Sequence, residues 1–227
     1  MAAENPSPSE QHEHGSDEES CPKCWAQLSH PLFCETCDQL LEPGKQPSPF
    51  ATLGVEPRYA LNRMALRKRL LALSRQLHPD FYGNADAQVR ELAQRNTAEL
   101  NAAFEILDDD FHRADWLVKS LGGPTQEDER QMPPAFLAEV LEWNETIEEA
   151  REAEPGSSER AALDELEKEL RAERQNVMNS IESKLDPLPD AHAPILAEVR
   201  RNLNAIRYID RSLREIDEIR LTQSSRT

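Results

Sequence analysis

The sequence predicts an all-α protein. Apolar residues recur at steps of three and four along most of the chain from residue 62 onward, which is the period of an amphipathic helix. Aromatic residues make up only 5% of the 227 residues, and a lean core rich in Leu and Ala favours packed helices over a large sheet sandwich. Outside a short cysteine-bearing segment, no stretch has a convincing strand pattern.

Changes in composition and helix-breaking residues divide the chain into seven predicted segments. They are an acidic, disordered tail (1–20), a tetracysteine segment (21–41), a proline-rich linker (42–49), a first helical domain (50–123), a polar connector (124–132), a second helical domain (133–221) and a short tail (222–227).

The first helical domain is predicted to open with a short helix at residues 50–53. Asn62 is a suitable N-cap for a longer helix that reaches Gln76, and Pro79 must end that helix. Its apolar stripe is Leu66, Leu70, Leu73 and Leu77. Residues 85–107 form the next amphipathic run, and a further helix at about 111–121 ends at Gly122. The short loop after Gln76 makes the two long helices an antiparallel hairpin.

The tripeptide His78-Pro79-Asp80 is the strongest functional signal. Residues 62–76, which precede it, carry five Arg/Lys and no acid. Pro79 restricts the backbone of the corner, and Asp80 offers a carboxylate that can accept charge-assisted hydrogen bonds from a partner's arginine. An ordinary turn and a solvated helix face are the plainer interpretations. The combination, on a chain with net charge −17, favours a binding face for an acidic partner.

A charged, proline-locked tripeptide between a basic helix and a second amphipathic helix resembles the signature of a J-domain, the module that activates DnaK-type chaperones. The resemblance covers about residues 50–122. It implies that an ATPase chaperone docks on the tripeptide and the basic helix, and that this chain is a cofactor of an ATPase and not an enzyme. The chaperone-binding residues that it implies are His78, Pro79, Asp80, Arg63, Arg67, Lys68, Arg69 and Arg75.

Three further helical runs follow Pro133 and predict a three-helix bundle or hairpin. The first covers residues 134–153. The second begins after Gly156 and ends at the breaker of residues 186–190, and the third follows that breaker. The apolar positions of the last two runs are Leu163, Leu166, Leu170, Val177, Ile181 and Leu185, and Ile195, Val199, Leu203, Ile206, Leu213 and Ile216.

The C-terminal half resembles the HscB family, the J-type co-chaperones of iron–sulfur cluster assembly. The segments that carry the resemblance are FHRADWLVKSLGG (111–123), FLAEVLEWNETIEE (136–149) and RRNLNAIRYIDRSL (200–213). The family implies that an iron–sulfur scaffold protein of the IscU type binds these helices. The scaffold-binding residues that it implies are Leu137, Leu141, Glu142, Glu145, Glu149 and Tyr208. Ala138 stands where some members have a larger apolar residue, and Tyr208 replaces a frequent Phe.

Helical spacing is compatible with such a face, because Leu137, Leu141 and Glu145 are successive i, i+4 neighbours. The alternative is that the two leucines, together with Val140, belong to the core of the bundle and that the glutamates are simply solvated.

The four cysteines, Cys21, Cys24, Cys34 and Cys37, form two Cys-x2-Cys pairs with nine residues between them. Four thiolates can close a tetrahedral shell around a structural zinc ion, and some HscB-like proteins carry a similar N-terminal segment. Iron in a rubredoxin-like site, or a cluster, is the rival, since thiolates suit both metals. About twenty residues cannot build an adequate core, so a metal is expected to fold this segment.

The acidic balance disfavours non-specific binding to nucleic acid or to an anionic membrane, because both depend on Lys and Arg. It also disfavours a third function, a zinc-dependent nucleic-acid regulator. Residues 1–20 contain six acids and no Lys or Arg, so no mitochondrial transit peptide is visible, and no long apolar run is present. A cytoplasmic location is predicted, or a mitochondrial one if the source is eukaryotic.

The sequence therefore predicts a co-chaperone that stimulates a DnaK/HscA-type ATPase and delivers the iron–sulfur scaffold to it. The alternative is a J-domain co-chaperone for general protein folding, with a different client and a C-terminal bundle that dimerises or binds denatured chains. Self-association is open in both cases.

Overall fold

The structure, a computed structural model, describes residues 20–44, 47–133 and 136–224. These residues form seven α-helices and one 3-10 helix, Pro79–Tyr82. The α-helices are α1 (Pro49–Leu53), α2 (Arg63–Leu77), α3 (Ala87–Asp108), α4 (Asp110–Ser120), α5 (Phe136–Glu152), α6 (Ser158–Leu185) and α7 (Ile195–Ser224). The described ranges hold no strand beyond two isolated β-bridges in the cysteine segment. The all-α prediction is confirmed, while all of the predicted acidic tail but Ser20 lies outside the described residues.

Interactions between residues close together in the chain set both ends of helix α2. The Asn62 side chain accepts a hydrogen bond from the Ala65 backbone N–H at 3.0 Å, which confirms it as the N-cap. The helix continues to Leu77, one residue past the predicted end, because Pro79 excludes helical geometry only at His78. Asp86 caps α3 in the same way, by accepting from the Val89 N–H at 2.9 Å.

Helices α1 to α4 form a compact N-terminal helical unit, in which α1 and α2 both pack on α3. Buried leucines of α2 face Leu100 and its neighbours on α3, while Leu70, Val89, Leu92 and Phe104 pack at the edge of the core and are only partly buried. After α4 the chain reverses at Gly122, whose φ of +71° is a left-handed conformation that glycine adopts without strain.

Helices α5, α6 and α7 form the C-terminal bundle. Ser157 caps α6, and the breaker after Leu185 includes a cis peptide bond between Asp186 and Pro187. Helix α7 continues to Ser224, which is three residues into the predicted C-terminal tail. None of the helices in the described ranges is long and apolar enough to cross a membrane.

The apolar core is divided into two clusters whose border does not follow the predicted domain boundary. The first joins the cysteine segment and the N-terminal helical unit to one end of the bundle, where α6 contributes Met178 and Ile181 and α7 contributes Val199 and Leu203. The second fills the other end of the bundle around Trp143. Because the first core takes in both segments of chain, the division into two helical domains stays a prediction.

A buried ion-pair cluster reinforces this junction. The fully buried Arg200 of α7 donates to the Asp115 carboxylate on α4 and, through Nε, to the Pro124 carbonyl at 2.9 Å. Lys119 binds the same carboxylate at 2.7 Å. Burial alone would raise the pKa of Asp115, but hydrogen bonds from Lys119 and Arg200 outweigh it and hold the pKa below its usual range.

Candidate functional site

The His78-Pro79-Asp80 corner projects into solvent at the end of α2. Pro79 is the first residue of the 3-10 helix, and the His78 ring accepts a hydrogen bond from the Asp80 backbone N–H through Nδ1 at 3.3 Å. The Asp80 side chain is 91% exposed. The corner is therefore a fixed backbone that presents a carboxylate to solvent, as a docking site requires.

The five cations predicted on α2 are not equivalent. Arg69 turns toward its own chain and donates to the carbonyls of Leu53 and Gly54 at 3.0 and 2.9 Å, so it fixes the end of α1. Arg63 forms an ion pair with Asp110 at 2.7 Å, and Arg67 forms one with Asp108 at 3.5 Å.

Lys68 and Arg75 are exposed, and neither forms an ion pair within the part of the chain that the structure describes. These two cations are therefore the ones most available to a partner.

Exposed apolar residues complete this surface, and sequence reasoning missed them. Met64 is 83% exposed and Leu71 is 63% exposed, and they lie seven residues apart on the solvent face of α2. Phe81, directly after the tripeptide, is 74% exposed. The signal was present, because neither Met64 nor Leu71 belongs to the stripe that begins at Leu66. We call Met64, Lys68, Leu71, Arg75 and the corner the basic face.

A second face lies on α5. Val140 is buried, whereas Leu137 and Leu141 are 53% and 70% exposed, so the two leucines do not belong to the core of the bundle. The predicted glutamates are exposed on the same helix and form no ion pair among the described residues. They are Glu142, Glu145 and Glu149. We call these glutamates and the two leucines the acidic face.

Tyr208 of α7 lies beside the acidic face. Its hydroxyl donates to Asn144 Oδ1 at 2.8 Å, and its ring packs edge-on against Phe136 with the centroids 6.1 Å apart. Asn144 is one helical turn from Leu141. Five of the six residues predicted to bind a scaffold thus lie on α5, and Tyr208 packs against that helix through Asn144 and Phe136.

The four cysteines converge on one point. All four sulfurs lie within 4.8 Å of one another, and the pairs Cys21–Cys37 and Cys24–Cys34 are each 3.6 Å apart. Zinc–sulfur bonds of about 2.3 Å in a tetrahedron place sulfurs about 3.8 Å apart, so the donor set fits such an ion. The predicted tetracysteine cluster is confirmed.

The two Cys-x2-Cys pairs have the same local geometry. Trp25 and Asp38 each follow the second cysteine of a pair, and each has a positive φ, 61° and 57°. Their backbone N–H groups donate to the carbonyls of Cys21 and Cys34 at 2.9 Å. Each turn therefore aims two sulfurs at one centre. We call residues 20–41 the knuckle.

The thiols interact strongly with one another. Desolvation raises the pKa of Cys21, but hydrogen bonds from the backbone of Cys24 and Lys23 outweigh this effect and lower the pKa to about 6. A hydrogen bond from the backbone of Gln39 lowers the pKa of Cys37, but desolvation and the neighbouring sulfurs raise it to about 12. A divalent cation would favour the thiolate form of all four.

The knuckle is built into the N-terminal helical unit. Asn96 of α3 is fully buried, and its side-chain amide donates to the carbonyls of Leu32 and Leu41 at 2.8 and 3.0 Å. The His30 ring accepts from the Leu32 N–H through Nδ1 and donates to the Thr52 carbonyl through Nε2 at 2.9 Å. Burial lowers the pKa of His30, which favours this neutral form.

Comparison with known proteins decides the family. The family model described as the HSCB C-terminal oligomerisation domain matches residues 132–217. A co-chaperone protein HscB homolog from Bordetella avium is 34% identical over 139 residues, which are 60% of this chain and 81% of the relative. This chain belongs to the HscB family of co-chaperones. A Vibrio vulnificus HscB homolog is 27% identical over 170 residues, covering 74% of this chain and 96% of the relative.

Solved structures of HscB proteins share the fold. Human co-chaperone protein HscB has a TM-score of 0.70 at 22% identity and covers 90% of this chain and 98% of its own. Chaperone HscB from Vibrio cholerae has a TM-score of 0.64 at 20% identity, covering 78% and 99%. The predicted HscB-type family and fold are confirmed, and the two sequence relatives are named co-chaperones. The roles of individual site residues stay predictions.

Proposed function

We propose that this chain is an adaptor that stimulates ATP hydrolysis by a DnaK/HscA-type chaperone and delivers an IscU-type iron–sulfur scaffold to it. The observation that carries the proposal is that one chain has two exposed faces of opposite charge, each of which also includes exposed apolar residues. The basic face surrounds the Asp80 corner, and the acidic face surrounds Leu141. Each face offers apolar area for affinity and charge for orientation.

The basic face would act by binding one conformation of the ATPase better than another, which is all that a non-covalent activator needs. Asp80 supplies the acceptor for a partner arginine, while Lys68 and Arg75 would meet acidic residues beside it. A cytoplasmic location for this activity stays a prediction.

The acidic face would hold the scaffold while the basic face engages the ATPase. The ion-pair cluster at Asp115 and the shared first core join the two helical regions, so a scaffold on α5 would be carried with the corner as one body. The iron–sulfur cluster itself is cargo of the scaffold, and no residue of this chain is assigned to it.

We propose zinc as the ion of the knuckle, with Cys21, Cys24, Cys34 and Cys37 as its ligands and a structural role. The closed set of four sulfurs leaves no position for a substrate, which is typical of structural zinc. Elemental analysis of protein expressed without added metal distinguishes zinc from iron. One equivalent of iron, with thiolate-to-iron absorption in the visible range, would contradict the assignment.

The deciding experiment measures single-turnover ATP hydrolysis by a DnaK/HscA-type chaperone with this protein, with and without the scaffold. We expect stimulation by the protein alone and greater stimulation when the scaffold is present. Stimulation that ignores the scaffold, together with failure to bind it, would favour the alternative of a general folding co-chaperone with another client.

A further inference from the structure

A basic pocket lies between the connector and α7. Its volume is about 330 Å³, and its lining includes Arg130, Arg207 and Arg211 but no Asp or Glu. The chain as a whole has 43 acidic and 26 basic residues, so a pocket with three arginines and no acid is opposite in sign to the net charge of the chain. Met132 and Tyr208 add apolar walls.

The positive charge of this pocket is only partly compensated within the chain. Arg130 is exposed and forms no ion pair among the described residues. The nearest carboxylate to Arg207 is Asp115 at 3.6 Å, which already binds Arg200 and Lys119.

The other two pocket arginines differ in how far the chain compensates their charge. The Nη1 atom of Arg207 is buried without a hydrogen-bond partner, and its guanidinium lies over the Phe111 ring at 5.3 Å. Only Arg211 has a carboxylate to itself, that of Glu215 at 3.2 Å, and this pair is exposed on the Arg211 side. A carboxylate entering the pocket would therefore meet more positive charge than the chain neutralises.

The pocket lies beside the helix that carries the acidic face. Tyr208 links the two, because it lines the pocket and its hydroxyl donates to Asn144 of α5. Leu141 lies one turn from Asn144, and Phe136, against which Tyr208 packs, precedes Leu137. A partner that covers Leu137 and Leu141 would reach the pocket by crossing Tyr208.

We propose that this pocket receives an acidic segment of the scaffold protein, so that one interface has two poles of opposite charge. The proposal rests on the proposed function, since it names the partner of the acidic face. The glutamates of α5 would face a basic region of the scaffold, and Arg130, Arg207 and Arg211 would bind carboxylates next to it. Two poles fix the orientation of a partner that a leucine patch alone would leave undetermined.

The test compares two charge-reversal variants of the full chain by titration with the scaffold. Arg130→Glu/Arg211→Glu changes the pocket. Arg58→Glu/Arg171→Glu makes the same change in net charge at two exposed arginines that lie outside the pocket. At low salt we expect the pocket variant to bind about tenfold more weakly and the control to stay within about twofold of wild type. The difference should shrink near 1 M salt, where the Debye length falls to about 3 Å.

The outcomes separate this inference from the function on which it rests. If the pocket variant binds like wild type while Leu137→Ala/Leu141→Ala loses affinity, the pocket proposal is overturned and the acidic face stands. If neither variant loses affinity, or wild type does not bind the scaffold, both are overturned. An acidic-to-lysine change in the scaffold that restores binding of the pocket variant, but weakens binding of wild type, would identify the contacting carboxylate.

Discussion

The basic face of α2 and the acidic face of α5 have the same design with opposite charge. Each has two exposed apolar residues on one side of a helix, Met64 and Leu71 on the first, Leu137 and Leu141 on the second. They differ in how much of their charge the chain uses itself. Three of the five cations on α2 bind groups of their own chain, whereas the three glutamates of the acidic face form no ion pair among the described residues.

The opposite charge of the two faces would let one chain keep its two proposed partners apart. A basic region of the proposed scaffold would be repelled by the basic face, and an acidic groove of the proposed ATPase would be repelled by the glutamates of α5. The two faces also differ in their support. The knuckle packs on the N-terminal helical unit, so it supports the basic face, while α5 belongs to the second core.

Metal removal is the strongest test of that difference in support. Loss of the ion should unfold the knuckle and remove Leu32, Phe33 and Leu40 from the first core, at a cost of about 5 kcal/mol in the free energy of unfolding. We expect the Tm to fall by about 10–20 °C after chelation or in Cys24→Ser/Cys37→Ser, as followed by circular dichroism. ATPase stimulation should fall too, while scaffold affinity stays within about twofold.

Restoring zinc to the chelated protein should recover the original Tm, which serves as the control. An unchanged Tm in protein shown to be free of metal would mean that the knuckle folds unaided and that its support of the basic face is independent of the ion.

Among the substitutions that leave the fold unchanged, Asp80→Asn should cause the largest loss of ATPase stimulation. The amide keeps the shape of the side chain but loses the charge, and losing one charged partner of a buried contact costs about 3 kcal/mol, roughly a hundredfold in stimulation. Single-turnover ATP hydrolysis measures it. Asp190→Asn, at an exposed aspartate in the α6–α7 loop, is the matched control. Stimulation by Asp80→Asn equal to that of the control would refute the role of the corner.

Leu137→Ala/Leu141→Ala should act on the other face alone. Covering two exposed leucines contributes about 2 kcal/mol, so scaffold affinity should fall roughly thirtyfold in a titration, with stimulation by the free protein unchanged. Ala161→Gly/Ala162→Gly would perturb the bundle without touching the face and controls for loss of helix stability. Equal loss of affinity in both variants would assign the effect to stability and not to contact.

Local chemistry made much of this molecule predictable from its sequence. Asn62 and Pro79 set the limits of α2, and the two Cys-x2-Cys pairs predict the metal cluster. At the corner, the His78 ring accepts a hydrogen bond from the Asp80 N–H two residues later. Each depends on residues close together in the chain. The pattern of α5 was ambiguous, because Leu137 and Val140 are equally apolar and only packing against α6 and α7 decides which of them is buried.

Contacts between segments that are distant in the chain could not be predicted from the sequence. Asn96 binds the knuckle at Leu32, which lies 64 residues earlier, and no local pattern indicates that pairing. Arg69 shows the same limit, since its charge predicts a place on the basic face, but the carbonyls at the end of α1 bind it instead. The division of the core into two clusters likewise depends on how α6 and α7 cross the N-terminal helical unit.

The smallest predicted effect concerns the apolar residues that charge-based reasoning overlooked. Met64→Ala/Leu71→Ala removes exposed side chains from the basic face and should lower the affinity for the ATPase by about 1 kcal/mol, roughly fivefold in the concentration needed for half-maximal stimulation. Higher salt should not abolish this difference, because apolar contacts are not screened, whereas the effect of Lys68→Ala should fade. Half-maximal concentrations that match wild type at every salt concentration would show that only the charged residues of the basic face contribute to binding. The basic and acidic faces would then not share the use of exposed apolar residues.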